Sequence, residues 1–378
     1  MSLDLEILDA FEKPGNVLVP DLKGYDYVPT IIEYDEYPFM MSPGGFCLTF
    51  PMANAGKKTK KCLRLWFNDK ARVDNLAHIK NVAGYFNLHQ PHYVVKYKYV
   101  EQALRLLNGK VIPGVVMDWI EGDTLIEYVR KNYRKANVMR SLAKTFYNMV
   151  DYLNHNNMAH GDLSGENIIV TSMGNMVLID YDSFFVKGQP TNIEQPTWGV
   201  PAYQHPAREA NQFLNTYMDF FSQQIIYLSL IAIAEKPSLF NSDSDKELIF
   251  QNSDLSSQTA LVNSAAYKAI ASIPNQEVKD RLEDLRKDIA LPLDKVRSLT
   301  AIYDREKEKR RREEEVRNRP KPQDRVVPKE NKEVKRTVSS FASFCGYCGY
   351  RFPIERDNAY YCPICGSKRA IIHQTYDN

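Results

Sequence analysis

Residues 160–182 decide the fold: the polar loop His160-Gly-Asp-Leu-Ser-Gly-Glu-Asn167 precedes two short apolar segments, and Asp180-Tyr181-Asp182 follows them. The apolar segments cover residues 168–170 and 176–179, with a Met-Gly-Asn turn between them. Apolar runs of this length around a turn predict a hairpin of two buried strands. A hairpin brings its two ends together, so we expect the polar loop and the acidic triplet to lie side by side.

Asp162, Asn167 and Asp180 carry the chemistry that phosphoryl transfer requires. That reaction needs one carboxylate to orient the attacking hydroxyl, and an amide and a second carboxylate to hold Mg²⁺ on the phosphates. A single Asp is more often a solvated acid or a helix cap. Three such residues in this order and spacing predict a phosphotransferase site.

Three flanking segments place this stretch within a larger fold. Residues 138–154 carry apolar side chains at helical spacing, which predicts an amphipathic helix packed on a core. Thr124 and Glu127 form the capping-box pattern that begins a helix. The segment from Asp219 to Ile233 is apolar on almost every side, and a helix without a polar face belongs inside a large lobe.

In their order and spacing, these motifs resemble the protein-kinase-like fold over roughly residues 40–300. His160-x-Asp162-x-x-x-x-Asn167 is similar to the catalytic loop, and the Asp-Tyr-Asp triplet stands in the place of Asp-Phe-Gly. Gly199-Val-Pro-Ala-Tyr-Gln-His-Pro206 looks like the end of an activation segment. More narrowly, the triplet and the Tyr-Gln-His-Pro segment resemble a bacterial atypical serine/threonine kinase-like family.

The resemblance implies an α+β, bilobal protein-kinase-like fold in residues 1–302. A small β-rich N-lobe is expected at about residues 25–117, and a mostly helical C-lobe at about residues 123–302. The resemblance also implies ATP and Mg²⁺ as the molecules that the site binds.

The same resemblance assigns roles to single residues. Asp162 would orient the acceptor hydroxyl, while Asn167 and Asp180 would bind Mg²⁺. His160 and Asp219 would be structural, with Asp219 capping the backbone of the catalytic loop. The expected ATP contacts come from a Gly-rich loop, the strand after it and the hinge strand, and they are Gly44, Gly45, Cys62, Arg64, Met117 at the gatekeeper position, Asp118 and Ile120.

Two departures from the kinase pattern concern the phosphate clamp. Arg64 takes the position of the usual Lys, two residues after Cys62, which stands where a small residue lies beneath adenine. Strand alternation places both residues on one face. Lys60 lies one step further back on that face and could substitute, although an exposed edge Lys is the simpler interpretation. The next helix, around residues 74–86, contains no Glu, so a partner for the clamp is absent or comes from elsewhere.

Other departures concern the loops. The Gly-rich loop is reduced to Gly44 and Gly45, and two adjacent glycines most often make only a turn. Gly161 replaces the Arg that reads a phosphorylated activation segment in many kinases, which predicts no phospho-switch of that kind. Ser164 replaces a Lys typical of protein kinases, and the His-Gly-Asp loop also resembles aminoglycoside and other small-molecule kinases.

Three functions therefore stay open. Retention of Asp162, Asn167 and Asp180 favours an active phosphotransferase, most of all a serine/threonine protein kinase. Loss of the Lys–Glu pair favours a pseudokinase scaffold with weak or no catalysis. The loop sequence allows an aminoglycoside-kinase-like enzyme that acts on small molecules. The activation-segment-like residues favour a protein acceptor over a small one.

A second motif lies near the C-terminus, where Cys345-Gly-Tyr-Cys348-Gly and Cys362-Pro-Ile-Cys365-Gly each hold a Cys-x-x-Cys turn. Four thiolates at this spacing suit a tetrahedral structural Zn²⁺ site, and the motif resembles a zinc ribbon in residues 341–378. Disulfides are the alternative, but they require an oxidising compartment. A closed site has no open ligand position, so we expect a structural role or the docking of a protein substrate or partner.

Residues 303–340 are predicted to be a charged, flexible linker between these two parts. The run of residues 304–319 mixes Lys and Arg with Glu, which allows a solvated helix with i,i+4 ion pairs. Pro320, Pro322 and Pro328 then end any helix. The two signs of charge nearly cancel, which argues against nucleic-acid binding.

Composition favours a cytoplasmic protein without a membrane partner. The 378 residues include 49 Lys and Arg against 47 Asp and Glu, a formal net charge of +2 that recruits neither nucleic acid nor an anionic membrane. The longest mainly apolar stretch, residues 225–234, is too short to cross a membrane. The N-terminal residues are acidic where a signal peptide carries Lys or Arg.

Overall fold

The computed structural model describes residues 3–28, 30–32, 35–37, 40–41, 47–67, 69–317, 336–341, 361, 368 and 371–376. Within these ranges, only the backbone is described for residues 30–41, 69–75, 315–317, 336–341 and 371–376.

Helices and strands divide unevenly along the described chain. The α-helices are α1 (Leu3–Phe11), α2 (Asp69–His89), α3 (Leu125–Asn132), α4 (Ala136–His155), α5 (Phe220–Glu235), α6 (Gln258–Asn263), α7 (Ala265–Ala271), α8 (Gln276–Asp288) and α9 (Leu299–Arg317). The strands are β1 (Asp26–Tyr27), β2 (Thr30–Ile32), β3 (Asp35–Tyr37), β4 (Met40–Met41), β5 (Cys47–Asn54), β6 (Thr59–Trp66), β7 (Tyr97–Arg105), β8 (Val111–Asp118), β9 (Asp123–Thr124), β10 (Ile168–Val170), β11 (Met176–Leu178), β12 (Arg336–Phe341) and β13 (Ile371–Tyr376).

Six of the strands before residue 119 build an antiparallel sheet in the order β1-β5-β6-β8-β7, with β4 also paired to β5, while β2 and β3 pair with each other. Alternation along β6 sends its side chains to two different cores. Leu63 and Leu65 lie in a cluster on one face, and Cys62 and Trp66 lie in the cluster shared with the helical portion. Arg64 shares the face of Cys62 and Trp66, so it projects toward the helices.

The residues ahead of the sheet pack on its other face. Helix α1 buries Ile7, Ala10 and Phe11, and the Phe11 ring stacks on Phe50 of β5 with ring centroids 3.9 Å apart. The core of the sheet portion thus includes residues that precede residue 25, the approximate start predicted for the N-lobe.

The chain from residue 119 to residue 317 is mainly helical, and α5 is its most buried helix. All residues of α5 from Phe221 to Ala234 are buried, which confirms the predicted helix without a polar face. The capping box of Thr124 and Glu127 at the start of α3 is also confirmed. So is the hairpin after the polar loop, in which β10 pairs antiparallel with β11.

The architecture is therefore α+β, with a β-rich sheet and a helical portion, and it is compatible with a bilobal protein-kinase-like fold. The predicted zinc ligands Cys345, Cys348, Cys362 and Cys365 lie outside the described residues. No helix within the described part of the chain has the length and apolar character needed to cross a membrane.

Asp219, directly before α5, ties that helix to the polar loop. Its carboxylate accepts hydrogen bonds from the backbone amides of Gly161, at 2.9 Å, and of His160. Arg208 donates to the carbonyl of Gly161 at 2.6 Å and to that of Met218 at 3.1 Å. Asp219 and Arg208 are both buried, so an acid and a cation together fix the backbone of the loop.

Helix α9 crosses residue 302, the predicted end of the domain, without a break. Ile302 is buried, the Tyr303 hydroxyl donates to the Glu277 carboxylate, and the hydroxyl oxygens of Tyr303 and Tyr227 lie 2.8 Å apart. The first turns of α9 are thus packed on the helical portion. The domain boundary and the linker remain predictions.

Two residues near the C-terminus contact α4. The Tyr361 ring packs on Tyr152 with centroids 5.1 Å apart, and its hydroxyl donates to the buried carboxylate of Asp151. Lys368 Nζ lies 3.4 Å from the same carboxylate. Tyr361 and Lys368 therefore contact the helix that leads into the polar loop.

Truncation tests the packing of α9. A chain ending at Ala301 should unfold more easily than one ending at Arg317, by about 3 kcal/mol, because it loses the buried Ile302 side chain and the Tyr303 hydrogen bonds. Denaturant titration of the two truncated chains measures the difference. Equal free energies of unfolding would contradict the packing of α9.

Asp219 offers a sharper stability test. Asp219→Ala leaves two buried N–H groups without an acceptor beside the buried Arg208, so we expect a loss of about 3 to 5 kcal/mol in the free energy of unfolding. Asp219→Asn retains one acceptor oxygen and should lose less. The control is Asp9→Ala on the exposed side of α1, with an expected change below about 0.5 kcal/mol. A similar loss in the free energy of unfolding for Asp219→Ala and Asp9→Ala would contradict the role of Asp219 in holding the loop.

Candidate active site

The hairpin brings the three predicted catalytic residues to one place. Ile179 donates its backbone amide to the Asn167 carbonyl at 3.0 Å, which closes the open end of the hairpin. The Asn167 side-chain amide donates to the Asp162 carbonyl at 2.8 Å. Asp180 follows Ile179 directly, and its charge is near enough to act on the pKa of Asp162. Asp162, Asn167 and Asp180 thus share one site.

His160 braces the loop from within the core. Its ring is fully buried, and Nε2 lies 2.7 Å from the Ile179 carbonyl. The carbonyl can only accept, so Nε2 carries the proton and Nδ1 accepts from the Asp162 backbone amide at 3.3 Å. His160 therefore links the loop to the strand end that precedes Asp180.

The Asp162 carboxylate faces the activation-segment-like residues. Its Oδ1 accepts a hydrogen bond from the Val200 backbone amide at 3.0 Å. Burial raises the pKa of Asp162, and the charge of Asp180 acts in the same direction, whereas His160 and the Val200 amide lower it. The site thus holds a carboxylate of increased basicity, as a residue that orients or accepts a proton requires.

Two glycines allow this close packing. Gly161 has φ +82°, and a Cβ there would lie 2.4 Å from the Ser183 carbonyl oxygen. Gly199 has φ +77°, and a Cβ there would lie 2.7 Å from Asp162 Oδ1. Both positions combine a left-handed backbone with a lack of space, so a side chain is excluded. This explains why position 161 carries no Arg.

Asp180 and Asp182 together hold Arg64. Asp180 adopts φ +63°, an uncommon conformation that Asp tolerates better than most residues. Arg64 Nη2 lies 3.0 Å from Asp180 Oδ1 and 3.3 Å from Asp182 Oδ2. The Arg64 side chain is 6% exposed, against 29% for Asp180 and 24% for Asp182. The buried cation Arg64 thus lies on the sheet, and the two carboxylates that pair with it lie on the acidic triplet.

The pKa values follow from this burial. Burial opposes the charge on Arg64, but Asp182 and other neighbours raise its pKa well above the usual value, so it remains a cation. Burial raises the pKa of Asp182 to about 6, although Arg64 acts in the opposite direction.

Tyr181 fixes the middle of the triplet in the core. Its ring lies edge-on to Phe86 and Tyr97, at centroid distances of 5.0 and 5.2 Å. Its hydroxyl accepts from the Val95 backbone amide at 2.9 Å and donates to the Leu178 carbonyl. Two backbone partners for one hydroxyl explain how Tyr can stand where the kinase triplet has Phe.

The donor set fits a divalent cation that also binds phosphate. Because the Asn167 amide nitrogen donates to Asp162, the amide oxygen is the atom that would face a cation. Among the residues that the structure describes, no group of three or more His, Cys, Asp and Glu side chains could hold a metal ion. One carboxylate and one amide are a sufficient protein contribution for Mg²⁺, which takes its other ligands from water and substrate phosphates.

The predicted ATP contacts lie along β6 and β8, where described. Cys62 and Met117 are buried and stand opposite each other across these strands. Asp118 ends β8, its side chain 3.4 Å from Lys61 Nζ, and Ile120 packs on the main core just after the strand. Their contact with a nucleotide remains a prediction. Gly44 and Gly45 lie outside the described residues.

The neighbouring Lys60 does not enter the site. Its Nζ pairs at 2.5 Å with Glu121, and both side chains are more than half exposed. Lys60 is therefore exposed, as the simpler interpretation expects, but β6 lies between β5 and β8 and is not an edge strand.

The sequence patterns assign no role to three residues of the site. Asp182 is one of them, although its acidic character next to Asp180 is a usable signal. Arg208 has no signal in the sequence, because its partners lie 10 and 47 positions away. His78 of α2 is buried beside the backbone of Asp182, and its Nδ1 lies 3.3 Å from Gln189 Nε2.

Known proteins similar to this chain are protein kinases. The chain is 29% identical over 119 residues to the cAMP-dependent protein kinase catalytic subunit of Schizosaccharomyces pombe, over 31% of this chain and 23% of that protein. The protein of the same name from Arthrobotrys oligospora is 30% identical over 118 residues, 31% of this chain and 22% of that protein. CBL-interacting serine/threonine-protein kinase 8 of Arabidopsis thaliana is 22% identical over 206 residues, 52% of this chain and 44% of that protein. No protein-family model matches the chain.

The chain thus spans less than half the length of each of these relatives. Identity is low and coverage partial, so the similarity is distant and carries no information on a bacterial subgroup or a zinc ribbon. Together with the α+β architecture, it supports a place in the protein-kinase-like superfamily.

Proposed function

We propose that the chain is an ATP- and Mg²⁺-dependent phosphotransferase, a serine/threonine protein kinase of the bacterial atypical type with a zinc-ribbon docking module. The observation that carries this proposal is the convergence of Asp162, Asn167 and Asp180 on one site. The similarity to protein kinases supports the use of ATP and Mg²⁺. The subgroup and the zinc ribbon rest on the sequence motifs alone.

Each of the three residues has a separate task in this proposal. Mg²⁺, when bound, would balance the charge of the phosphates. Asn167 and Asp180 would present an amide oxygen and a carboxylate to the cation. Asp162 Oδ1 is held by the Val200 amide, so Oδ2 would orient the acceptor hydroxyl.

A protein acceptor is favoured by the segment that packs on Asp162. Gly199 and Val200 lie directly against its carboxylate. In the kinase resemblance this segment stands at the peptide-binding surface, and a hydroxyl on an extended chain would approach Asp162 along it. A small-molecule kinase is the weaker alternative, because it needs no such segment.

One observation favours the pseudokinase alternative. Arg64 Nη2 lies 3.0 Å from Asp180 Oδ1, so a fixed cation already pairs with the carboxylate proposed for the metal. An active enzyme would have to exchange part of that contact for Mg²⁺. The two functions therefore differ in whether Mg²⁺ strengthens ATP binding.

Substitution of the three residues separates their tasks. Asp180→Ala and Asn167→Ala should weaken Mg²⁺-dependent ATP binding, because each removes a ligand of the cation. Asp162→Asn keeps the shape but loses the charge, so ATP binding should persist while transfer falls by about 10²–10⁴-fold. Calorimetry with Mg²⁺ or with excess EDTA measures binding. Transfer of labelled phosphate to the chain itself, to generic protein acceptors and to an aminoglycoside measures activity.

Asp9→Asn on α1 is the matched control and should behave as the wild type in both assays. If Mg²⁺ does not affect ATP binding and none of the three variants changes transfer above background, the pseudokinase alternative replaces the enzyme. Transfer to the aminoglycoside alone would favour a small-molecule kinase.

Zinc content tests the proposed docking module. The four cysteines Cys345, Cys348, Cys362 and Cys365 should bind one Zn²⁺ per chain, because two Cys-x-x-Cys turns supply a closed set of four thiolates. Elemental analysis of chain produced with ample zinc measures the content, and Cys47→Ser serves as a control outside the motif. A zinc content far below one per chain would contradict the site.

A further inference from the structure

The charge balance around Arg64 identifies a role for Asp182. We infer that Asp182 is the positioning residue that holds Arg64 toward the nucleotide phosphates, and that it takes over the task of the helix Glu that this chain lacks. The inference rests on the proposed function, since it assumes that Arg64 contacts phosphate.

Burial makes a partner for Arg64 necessary. Its side chain is 6% exposed, and its guanidinium carbon lies 5.7 Å from the centre of the Trp66 ring. An ionised group removed from water to this extent needs an opposite charge in hydrogen-bond contact. Among the described side chains, the carboxylates paired with Arg64 are those of Asp180 and Asp182.

Helix α2 does not supply the carboxylate from its second half. From Leu76 to His89 its sequence contains no Asp or Glu. His78 of α2 faces the backbone of Asp182. Burial lowers the pKa of His78 to about 4, so its ring is neutral at physiological pH and adds no charge beside Arg64.

The two carboxylates are not equivalent partners for Arg64. Asp180 stands with Asn167 at the position proposed for the metal, and a bound cation would draw its oxygen atoms away from Arg64. Asp182 lies two residues further on, against His78 and Arg64. When Asp180 turns to a metal, Asp182 is the carboxylate that remains for the guanidinium.

An Arg suits this arrangement better than a Lys. The planar guanidinium offers several N–H donors in a fixed fork, so one edge can bind Asp182 while another faces a phosphate. A Lys ammonium is a point charge on a flexible stem and does not divide its contacts in this way. The Arg at position 64 and the acid at position 182 therefore form a matched pair.

The test compares Asp182→Asn with Asp180→Asn in the full chain. Calorimetry gives the Kd of ATP at saturating Mg²⁺ and the Mg²⁺ concentration at which ATP binding is half-maximal. Asp182→Asn should raise the Kd by about tenfold, the loss expected for one charge-assisted contact, and leave the Mg²⁺ midpoint unchanged. Asp180→Asn should raise the Mg²⁺ midpoint instead.

Double variants separate positioning from simple packing. With Arg64→Gln already present, Asp182→Asn should change the Kd by less than about twofold, because the group that it positions is gone. Arg64→Lys should retain part of the ATP affinity with Asp182 present, and lose that part when combined with Asp182→Asn. Thermal unfolding of every variant checks that the fold persists.

The competing assignment is that an acid of α2 positions Arg64, and Asp74→Asn tests it. Asp74 is the acidic residue of α2 nearest to His78 in sequence. The inference is overturned if Asp74→Asn raises the Kd and Asp182→Asn does not. It is also overturned if Asp182→Asn shifts the Mg²⁺ midpoint as Asp180→Asn does, or if it lowers only the unfolding temperature. A wild-type chain that binds no ATP would reject the proposed function and this inference together.

Discussion

The buried carboxylate of Asp219 is the constraint on which the geometry of the site depends. The amides of His160 and Gly161 donate to it, and Arg208 donates to the Gly161 carbonyl, which belongs to the next peptide of the loop. The backbone of the loop is therefore held by Asp219 at the start of the most buried helix and by Arg208, and the His160 ring adds a contact to the Ile179 carbonyl. Because backbone groups make these contacts, they set the direction of Asp162 without restricting its side chain.

The sheet contributes the side chain of Arg64 to the site. Arg64 is anchored by a strand, whereas its partners Asp180 and Asp182 belong to the segment after the hairpin. Asp162 adds a third carboxylate close by, so negative charge exceeds positive charge in a poorly hydrated space. A divalent cation, as proposed for this site, would offset that excess of negative charge.

Local patterns in the sequence were sufficient for the elements that depend on local forces. The capping box at Thr124, the all-apolar helix α5 and the hairpin after Asn167 each follow from short-range spacing, and each is present. Strand alternation also placed Arg64 on the face that looks toward the helices. Such patterns could not identify the two carboxylates that pair with Arg64, because these lie 116 and 118 positions away in the sequence. Their placement also depends on the left-handed backbone conformation at Asp180.

The short distance along the chain between Asp180 and Asp182 would also link the proposed phosphate clamp to the proposed metal site. In the kinase pattern the clamp's acid lies on a helix and the metal's acid on the triplet, so the two can move apart. Here both acids lie within three residues whose middle side chain, Tyr181, is fixed by the core. A shift of the triplet would displace Asp180 and Asp182 together, so the proposed metal ligand and the proposed positioning partner of Arg64 would move in one step.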